Sequence, residues 1–334
     1  MSPATSMAPE AMEPVPVIEA VELAKSFPVR QGLFGVSPKR LIAVDSVSFS
    51  IAKAETVGLV GESGCGKTTV GLLILNLLRA DKGKILYNGA DVSSLRGEEQ
   101  RRARCNLQMV FQDPQSSLDP RMLIKTTVGY PLEINHLARG SDAVERVRAM
   151  LAEVGLAEDH MYRYPHEFSG GQRQRIGIAR ALITGPQFIA FDEPTSALDV
   201  SVQAQILNLI LELQQRHGYS YLFVSHNLSV IRYVSHRVAV MYLGRIVESA
   251  SRDELFKRPL HPYTQALLAA VPRPDPGRRH ALNELSGDVP SPVNVPRGCP
   301  FHPRCPKAMR ICREVAPVSV EASAAHRVAC HLYS

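Results

Sequence analysis

Residues 61–69 read GESGCGKTT and follow the apolar segment ETVGLV at 55–60. The glycines let the backbone curl so that consecutive N–H groups point at one centre, beside a helix start that favours an anion. We expect a strand from residue 55, then the loop, then a helix over 67–78. The stretch therefore predicts a phosphate-binding loop, with Lys67 placed for β- and γ-phosphates and the Thr68 hydroxyl placed for Mg²⁺.

Two further apolar segments end in polar side chains. FIAFDE (188–193) and YLFVSH (221–226) are continuous apolar runs, which are typical of parallel strands buried on both faces. Asp192 and Glu193 end the first run, and His226 ends the second. The adjacent carboxylates can divide two tasks, because Asp192 can hold Mg²⁺ through water while Glu193 polarises an attacking water.

The segment FSGGQRQR (168–175) resembles the signature sequence of ATP-binding cassette (ABC) ATPases. Its residues Ser169, Gly170, Gly171 and Gln172 lead into a helix predicted over 172–183, whose positive end suits a phosphate. In this family the segment contacts the γ-phosphate held by the partner subunit. The resemblance therefore implies two chains that enclose two ATP molecules.

The same resemblance implies roles for residues in other motifs. Gln112 in VFQDP (110–114) is similar to the glutamine that reaches the metal and the attacking water, and His226 in FVSHN (223–227) is similar to the switch histidine. Asp199 ends SALD (196–199) and is expected at the dimer interface. Phe27 lies where the family stacks an aromatic ring on adenine, with Phe34 as an alternative.

The implied site has three sets of residues. The catalytic residues are Glu193, His226 and Gln112, and the Mg²⁺ ligands are Thr68, Gln112 and Asp192. The ATP-binding residues are Phe27, Gly61, Ser63, Gly64, Cys65, Gly66, Lys67, Thr68, Thr69, Ser169, Gly170, Gly171, Gln172 and Asp199.

The pattern of elements and the resemblance imply an α/β fold of the ABC ATPase class. It combines a phosphate-loop NTPase core with an antiparallel β subdomain, an inserted helical subdomain and a small cysteine-containing C-terminal extension. VDSVSFSIA (44–52) alternates like an antiparallel strand, and AVERVRAMLAEVGL (143–156) is the clearest helical segment of the region 114–165. We expect a disordered tail over 1–16, a nucleotide-binding domain over 17–258 and the extension over 259–334.

The C-terminal part carries a second resemblance. HPYTQALLAAVP (261–272) and GCPFHPRCPKAMRIC (298–312) resemble the extension of oligopeptide and dipeptide permease ATPases, which also occurs in nickel-importing relatives. Together with YRYPHEFSGGQRQRI (162–176), it favours the second ATPase of a peptide-importer heterodimer. Nine of the 24 prolines fall between positions 272 and 306, so we expect a linker and then a small appendage without its own hydrophobic core.

Four cysteines in this extension suggest a metal centre that supplies folding energy. Cys299, Cys305, Cys312 and Cys330 are spaced C-x5-C-x6-C-x17-C, and four thiolates suit either a [4Fe–4S] cluster or Zn²⁺. Some relatives in the family carry a [4Fe–4S] cluster here, which favours the cluster. Zinc, with help from His302 or His331, and free thiols or a disulfide remain open.

Composition limits the other possibilities. The 334 residues carry a net charge of +6, which permits contact with anionic partners without requiring it. The longest apolar stretch, residues 70–78, is far shorter than the roughly 20 residues that cross a bilayer. The N-terminal segment lacks the features of a secretion signal, so we expect a reducing compartment. The densest basic cluster is predicted to be a solvated helix face; its members are Arg96, Arg101, Arg102 and Arg104.

Taken together, the resemblance implies a peripheral ATP-hydrolysing subunit on the cytoplasmic face of the inner membrane, in an importer of di- and oligopeptides. The implied partners are two permease subunits, a second ATPase and an extracytoplasmic substrate-binding protein, with no nucleic acid. Import of nickel, glutathione or another small solute is the alternative. An ABC ATPase of DNA repair or translation is disfavoured, because neither a coiled-coil insertion nor a second cassette is visible.

Overall fold

The computed structural model describes residues 15–31, 35–270 and 287–334. The strands are β1 (Ile18–Gln31), β2 (Gly35–Ile51), β3 (Thr56–Val60), β4 (Lys82–Tyr87), β5 (Ala90–Asp91), β6 (Leu107–Val110), β7 (Phe188–Asp192), β8 (Ser220–Ser225), β9 (Arg237–Tyr242), β10 (Arg245–Ser251), β11 (Val320–Ser323) and β12 (His326–Val328). The α-helices are α1 (Lys67–Ile74), α2 (Gly97–Asn106), α3 (Pro114–Ser117), α4 (Ile124–Ile134), α5 (Gly140–Glu153), α6 (Gly170–Leu182), α7 (Val200–His217), α8 (Leu228–Val234), α9 (Arg252–Lys257), α10 (Pro262–Ala269) and α11 (Ile311–Glu314). Short 3₁₀ helices span Glu158–Tyr162, Pro165–Glu167 and His302–Arg304.

An eight-stranded sheet forms the centre of the molecule, in the order β11-β12-β10-β9-β3-β8-β7-β6. The five strands from β9 to β6 are parallel, whereas β10, β11 and β12 are joined by antiparallel pairing. Every residue of β3, β7 and β8 is buried, as expected for parallel strands covered by helices. The strand predicted from residue 55 and the parallel strands predicted at 188–193 and 221–226 are confirmed.

A four-stranded antiparallel sheet, in the order β2-β1-β4-β5, packs against the first sheet. Its inward side chains form one core with residues of β3 and α1, among them Leu59 and Val70. The strand predicted at 44–52 is the second half of β2, and its antiparallel pairing is confirmed.

The region 114–165 is helical, as predicted, and holds α3, α4 and α5. The inner faces of α4 and α5 meet through fully buried side chains, including Val128 and Leu151. These helices also pack on α6, which carries the FSGGQRQR segment. The domain boundaries at 17, 258 and 259 stay a prediction, and most of the predicted tail, residues 1–14, lies outside the described residues.

Three predicted helix boundaries differ from the structure. The first helix ends at Ile74 instead of 78, because Asn76 adopts a left-handed φ of 51° and two following N–H groups turn back to the Leu72 carbonyl. The helix predicted at 143–156 spans 140–153 and stops before Gly155, whose φ is 73°. The helix predicted from 172 begins at Gly170.

The basic cluster lies on and just before α2 and fits a solvated face. Arg101 and Arg102 both pair with the Glu98 carboxylate, at 2.6 and 3.2 Å. Arg96 donates to backbone carbonyls of its own turn. Within the described parts of the chain, no helix combines the length and apolarity needed to span a bilayer.

The C-terminal extension differs most from expectation. We predicted an appendage without a hydrophobic core, but β12 pairs with β10 of the central sheet, and Phe301 is completely buried. The centroid of the Phe301 ring lies 5.3 Å from that of the Tyr242 ring and 5.4 Å from that of the Tyr263 ring. The extension therefore shares the main core through Phe301, whereas other large apolar side chains of the extension, such as Ile311 and Val318, are exposed.

A buried polar cluster also ties the extension to the sheet. The Glu248 carboxylate accepts the N–H groups of Leu260 and His261 at 2.7 and 3.0 Å, and it contacts His326 Nε2 at 2.8 Å. Glu248 lies on β10 and His326 on β12, and both are almost fully buried. One carboxylate thus joins β10, β12 and the segment before α10.

Replacing Phe301 with alanine tests whether the extension belongs to the main core. The truncation leaves a cavity beside Tyr242 and Tyr263, so we expect a loss of about 3–5 kcal/mol in the free energy of unfolding, measured with urea. Val318→Ala is the matched control, since Val318 is 75% exposed and should change stability little. If Phe301→Ala lowered the free energy of unfolding as little as the control does, the extension would not belong to the main core.

Burial lowers the pKa of His261 to about 4, and its Nδ1 accepts the Tyr263 N–H at 3.0 Å. Because the pKa of an unfolded histidine is about 6.5, the unfolded chain binds a proton between about pH 6.5 and 4 that the folded chain does not. Stability is therefore lost as the pH falls, by up to about 1.4 kcal/mol per pH unit.

His261→Asn keeps a side-chain acceptor for the helix start and removes this titration. We expect the stability difference between the wild type and this variant to shrink from pH 7 to pH 4.5, measured by urea unfolding at each pH. A difference that stays constant over this range would contradict the assignment.

Candidate nucleotide-binding site

The strand register brings the predicted site residues to one edge of the central sheet. Val60 of β3 lies opposite Ser225 of β8, and Asp192 of β7 lies opposite Val224. Since these parallel strands end at the same edge, the phosphate loop, the 192–193 pair and His226 follow them side by side. Gln112 lies two residues beyond β6, which pairs with β7.

The phosphate loop approaches its neighbours too closely for side chains at two glycines. A Cβ on Gly61 would lie 2.2 Å from the Met241 carbonyl oxygen, and one on Gly66 would lie 2.0 Å from that of Ala43. Gly66 also has a φ of 106°, a conformation that side chains disfavour. These contacts explain why the motif needs glycine at positions 61 and 66.

Lys67 is folded back into the loop, where it is 5% exposed. Its Nζ donates to the Gly61 carbonyl at 2.8 Å and to the Glu62 carbonyl at 3.1 Å. The neighbouring Cys65 thiol is buried, and burial raises its pKa. A thiol with a raised pKa is a poor nucleophile, so Cys65 fits a packing role within the loop.

Two predicted Mg²⁺ ligands are in direct contact. The Thr68 hydroxyl donates to Asp192 Oδ1 at 3.1 Å. Burial raises the pKa of Asp192, because a low-dielectric site disfavours its charged form unless a cation is near. A hydroxyl and a carboxylate oxygen are ligands that suit Mg²⁺, so these residues fit the ion.

The three predicted catalytic residues also meet. Glu193 Oε2 accepts a hydrogen bond from Gln112 Nε2 at 3.3 Å and contacts His226 Nδ1 at 3.0 Å. Glu193 has a φ of 45°, which is unfavourable for a side-chain-bearing residue and is often found at functional sites. Its N–H is held by the Val224 carbonyl at 2.9 Å, which fixes this conformation.

Gln112 and Glu193 border an open pocket of ≈ 310 Å³, together with Gly66, Lys67 and Thr68. Its other walls are Phe27, Leu41 and Ala43 from the antiparallel sheet, and Ser63, Gly64 and Thr69 from the loop region. Phe27 thus lines the pocket, its contact with adenine stays a prediction, and Phe34 lies outside the described residues. Sequence reasoning missed Leu41 and Ala43, although Leu41 is paired directly with Phe27 across β1 and β2.

The predicted signature residues stand apart from this pocket. Ser169 caps α6: its hydroxyl accepts the Gln172 N–H at 3.3 Å, and its own N–H donates to Gln172 Oε1 at 3.0 Å. Gly171 packs so closely on α7 that a Cβ would lie 2.3 Å from Val202 Cγ1. Among the described residues that line the pocket, none comes from 168–175.

Asp199 lies at the start of α7, near the signature segment. The Ser201 hydroxyl donates to its carboxylate at 2.6 Å and lowers its pKa. The side chain thus stays charged in solvent, and its predicted role at a dimer interface remains a prediction.

The cysteine prediction is not supported by the geometry. Cys299, Cys312 and Cys330 are buried and Cys305 is partly exposed, all as free thiols. Burial raises the pKa of Cys299 to about 11. Across residues 15–31, 35–270 and 287–334, no three His, Cys, Asp or Glu side chains are arranged to hold a metal ion.

Among the described residues, the four thiols are thus not arranged to hold a [4Fe–4S] cluster or zinc, and Phe301 packs the extension into the main core. The zinc alternative had included two histidines. His302 Nδ1 contacts the Cys299 carbonyl, and His331 Nε2 contacts the Val315 carbonyl, so one ring nitrogen of each is already engaged.

Comparison with known proteins agrees with this architecture. Residues 44–196 match the family described as ABC transporter, and residues 247–312 match the C-terminal region of oligopeptide/dipeptide transporters. Among solved structures, the dimeric bacterial ABC transporter cassette MJ0796 is 26% identical, with a TM-score of 0.61, and covers 70% of this chain and 98% of its own. Another structure of that cassette holds ADP and Pi in a post-hydrolysis state.

Curated relatives are similar over nearly the whole chain. The oligopeptide transport ATP-binding protein AppF of Bacillus subtilis is 50% identical over 321 residues, which are 95% of this chain and 98% of AppF. The oligopeptide transport ATP-binding protein OppF of Salmonella typhimurium is 48% identical over 320 residues, 94% of this chain and 95% of OppF. The chain therefore belongs to the ATP-hydrolysing subunits of ABC transporters, in the family that includes these oligopeptide transport ATP-binding proteins.

Proposed function

We propose that this chain powers the import of di- or oligopeptides by hydrolysing ATP at the edge of its central sheet. The observation that carries the proposal is the meeting of Gln112, Glu193 and His226 next to the Lys67 loop. The extension that the chain shares with oligopeptide transport proteins supports a peptide as the substrate.

In the proposed reaction Glu193 is the general base. Its carboxylate lies at the pocket wall and is held between Gln112 and His226, so it can accept a proton from the water that attacks the γ-phosphorus. The bond between that phosphorus and the β–γ bridging oxygen then breaks. Lys67 holds the β- and γ-phosphates, and Thr68 and Asp192 would hold Mg²⁺, which neutralises charge on the phosphate oxygens.

The proposed working form is a dimer with another ATPase subunit. The α6 start presents backbone N–H groups that favour a phosphate, yet it does not line the chain's own pocket. We therefore assign Ser169, Gly170, Gly171 and Gln172 to the ATP bound by the partner. Binding of ATP then joins the subunits, and loss of the γ-phosphate lets them separate.

The proposed contact with the permease subunits is the helical region between β6 and α6. Several of its large apolar side chains are solvent-exposed, which is unusual unless they contact a partner: Tyr130, Ile134, Tyr162 and Tyr164. Phe111, next to Gln112, is 40% exposed, so this surface reaches the catalytic residues. Docking there would place the chain at the cytoplasmic face of the membrane, with a binding protein acting through the permease.

We assign no step of this cycle to the four C-terminal cysteines. None of them lines the nucleotide pocket among the residues that the structure describes.

Replacing Glu193 with glutamine tests its role as the base. The amide keeps the size and the contacts of the side chain but cannot accept the proton, so we expect kcat for ATP hydrolysis to fall about 10²–10⁴-fold. ATP binding should persist, and the ATP-bound dimer should accumulate in size-exclusion chromatography with light scattering.

Glu212→Gln is the matched control, because Glu212 is an exposed carboxylate on α7 paired only loosely with Arg216 at 3.9 Å. It should hydrolyse ATP at the wild-type rate. If Glu193→Gln retained a similar rate, Glu193 would not be the base.

Reconstitution tests the transport function. We expect ATPase activity of the complete complex in proteoliposomes to rise when the binding protein is loaded with a di- or oligopeptide, with labelled peptide accumulating inside. The Lys67→Ala complex should lose both responses, since Lys67 holds the phosphates. Stimulation by nickel or glutathione and not by peptide would favour the alternative substrate class.

A further inference from the structure

Glu62, the second residue of the phosphate loop, is held by the C-terminal extension. The Arg304 guanidinium donates two hydrogen bonds to its carboxylate, at 2.8 and 3.1 Å, and the Tyr263 hydroxyl accepts its N–H at 3.0 Å. The Glu62 carbonyl accepts from Lys67. Every polar group of this one residue is thus engaged, two of them by residues more than 200 positions away.

The supporting residues are themselves rigidly placed. The Arg304 side chain is only 6% exposed and lies on the 3₁₀ helix that follows Phe301. Tyr263 is fully buried and packs against Tyr242 and Phe301. A planar guanidinium held in this way offers a fixed fork that matches a carboxylate.

The negative charge of Glu62 is unfavourable for binding an anion, and the ion pair with Arg304 neutralises it. A carboxylate in a phosphate-binding loop repels the nucleotide, and the repulsion is strong where water is partly excluded. Glu62 is 26% exposed, so solvent screens it only in part. The Arg304 pair neutralises this charge within the loop and leaves Lys67 free of a competing carboxylate.

We propose that Arg304 and Tyr263 are positioning residues for ATP binding, which act through Glu62 by neutralising its charge and fixing the start of the phosphate loop. The inference rests on the nucleotide site proposed above. It assigns to the C-terminal extension a direct part in nucleotide affinity, in addition to its packing on the cassette.

Arg304→Gln removes the charge and the fork, and ATP hydrolysis by the full-length chain is measured over a range of ATP concentrations. We expect KM for ATP to rise about tenfold, equivalent to about 1.4 kcal/mol, with kcat within about twofold of the wild type. Affinity for a fluorescent ATP analogue should fall in parallel. A purely structural defect would lower kcat through loss of folded protein and leave KM unchanged.

The double variant Glu62→Gln/Arg304→Gln separates charge from packing. Because it removes the unpaired carboxylate, KM should return to within about threefold of the wild type, a strong non-additivity expected of coupled residues. Arg237→Gln is the matched control. Arg237 forms an ion pair with Glu55 at 2.9 Å, directly before β3 and so at the strand end opposite the phosphate loop. The KM of this variant should be unchanged.

Two results would overturn the inference: an unchanged KM in folded Arg304→Gln, or a double variant as weak as Arg304→Gln alone. If Arg304→Gln fails to fold, Tyr263→Phe replaces it, because it removes only the hydroxyl that accepts the Glu62 N–H. We expect its KM to rise about threefold, and an unchanged KM would equally overturn the inference. Lys67→Ala tests the nucleotide site itself and should lose ATP binding. Retained ATP binding in Lys67→Ala would contradict the proposed site, whereas an unchanged KM in Arg304→Gln would contradict only the role of the extension.

Discussion

The close contact between the phosphate loop and the carbonyls of Met241 and Ala43 is the constraint on which the site depends. The loop leaves the middle of the sheet between β9 and β8, so its backbone must pass against β9 and against the antiparallel sheet. Glycine at 61 and 66 makes this possible, and the Gly244 N–H fixes the loop further by donating to the Cys65 carbonyl at 2.9 Å. The backbone N–H groups are therefore oriented by the sheet before any ligand binds, which lowers the ordering entropy that binding must overcome.

The charges around this loop explain why the site needs cations. Glu62, Asp192 and Glu193 contribute three negative charges, against the two positive charges of Lys67 and Arg304. An anionic nucleotide alone would meet a net negative site, whereas its complex with Mg²⁺ brings the missing positive charge. Burial raises the pKa of Asp192, and a nearby metal ion would favour its charged form.

The predicted site residues that the structure brings together share a local origin. A glycine loop, a capping box at Ser169 and carboxylates after a buried strand are encoded by a few neighbouring residues, and parallel strands then bring their ends together. Glu62, Arg304 and Tyr263 carry no such pattern, because their contacts join positions 201 and 242 residues apart. The extension was misjudged for a related reason: its prolines and cysteines suggested a metal-held appendage, while Phe301 is buried in the main core. The early end of α1 follows from the left-handed φ of Asn76, which no helical periodicity indicates.

The molecule is rigid on one side of the nucleotide pocket and open on the other. The phosphate loop is fixed by β9, by the antiparallel sheet and by Arg304 of the extension, all within one chain. The signature helix, which has the backbone N–H groups to bind a phosphate, lies outside that pocket and is held by its contact with Val202. A chain built in this way can bind the phosphates of ATP alone but cannot surround the γ-phosphate. In the dimer that we propose, the free energy of completing that shell becomes available only when the second subunit arrives, so ATP binding would be coupled to movement between subunits.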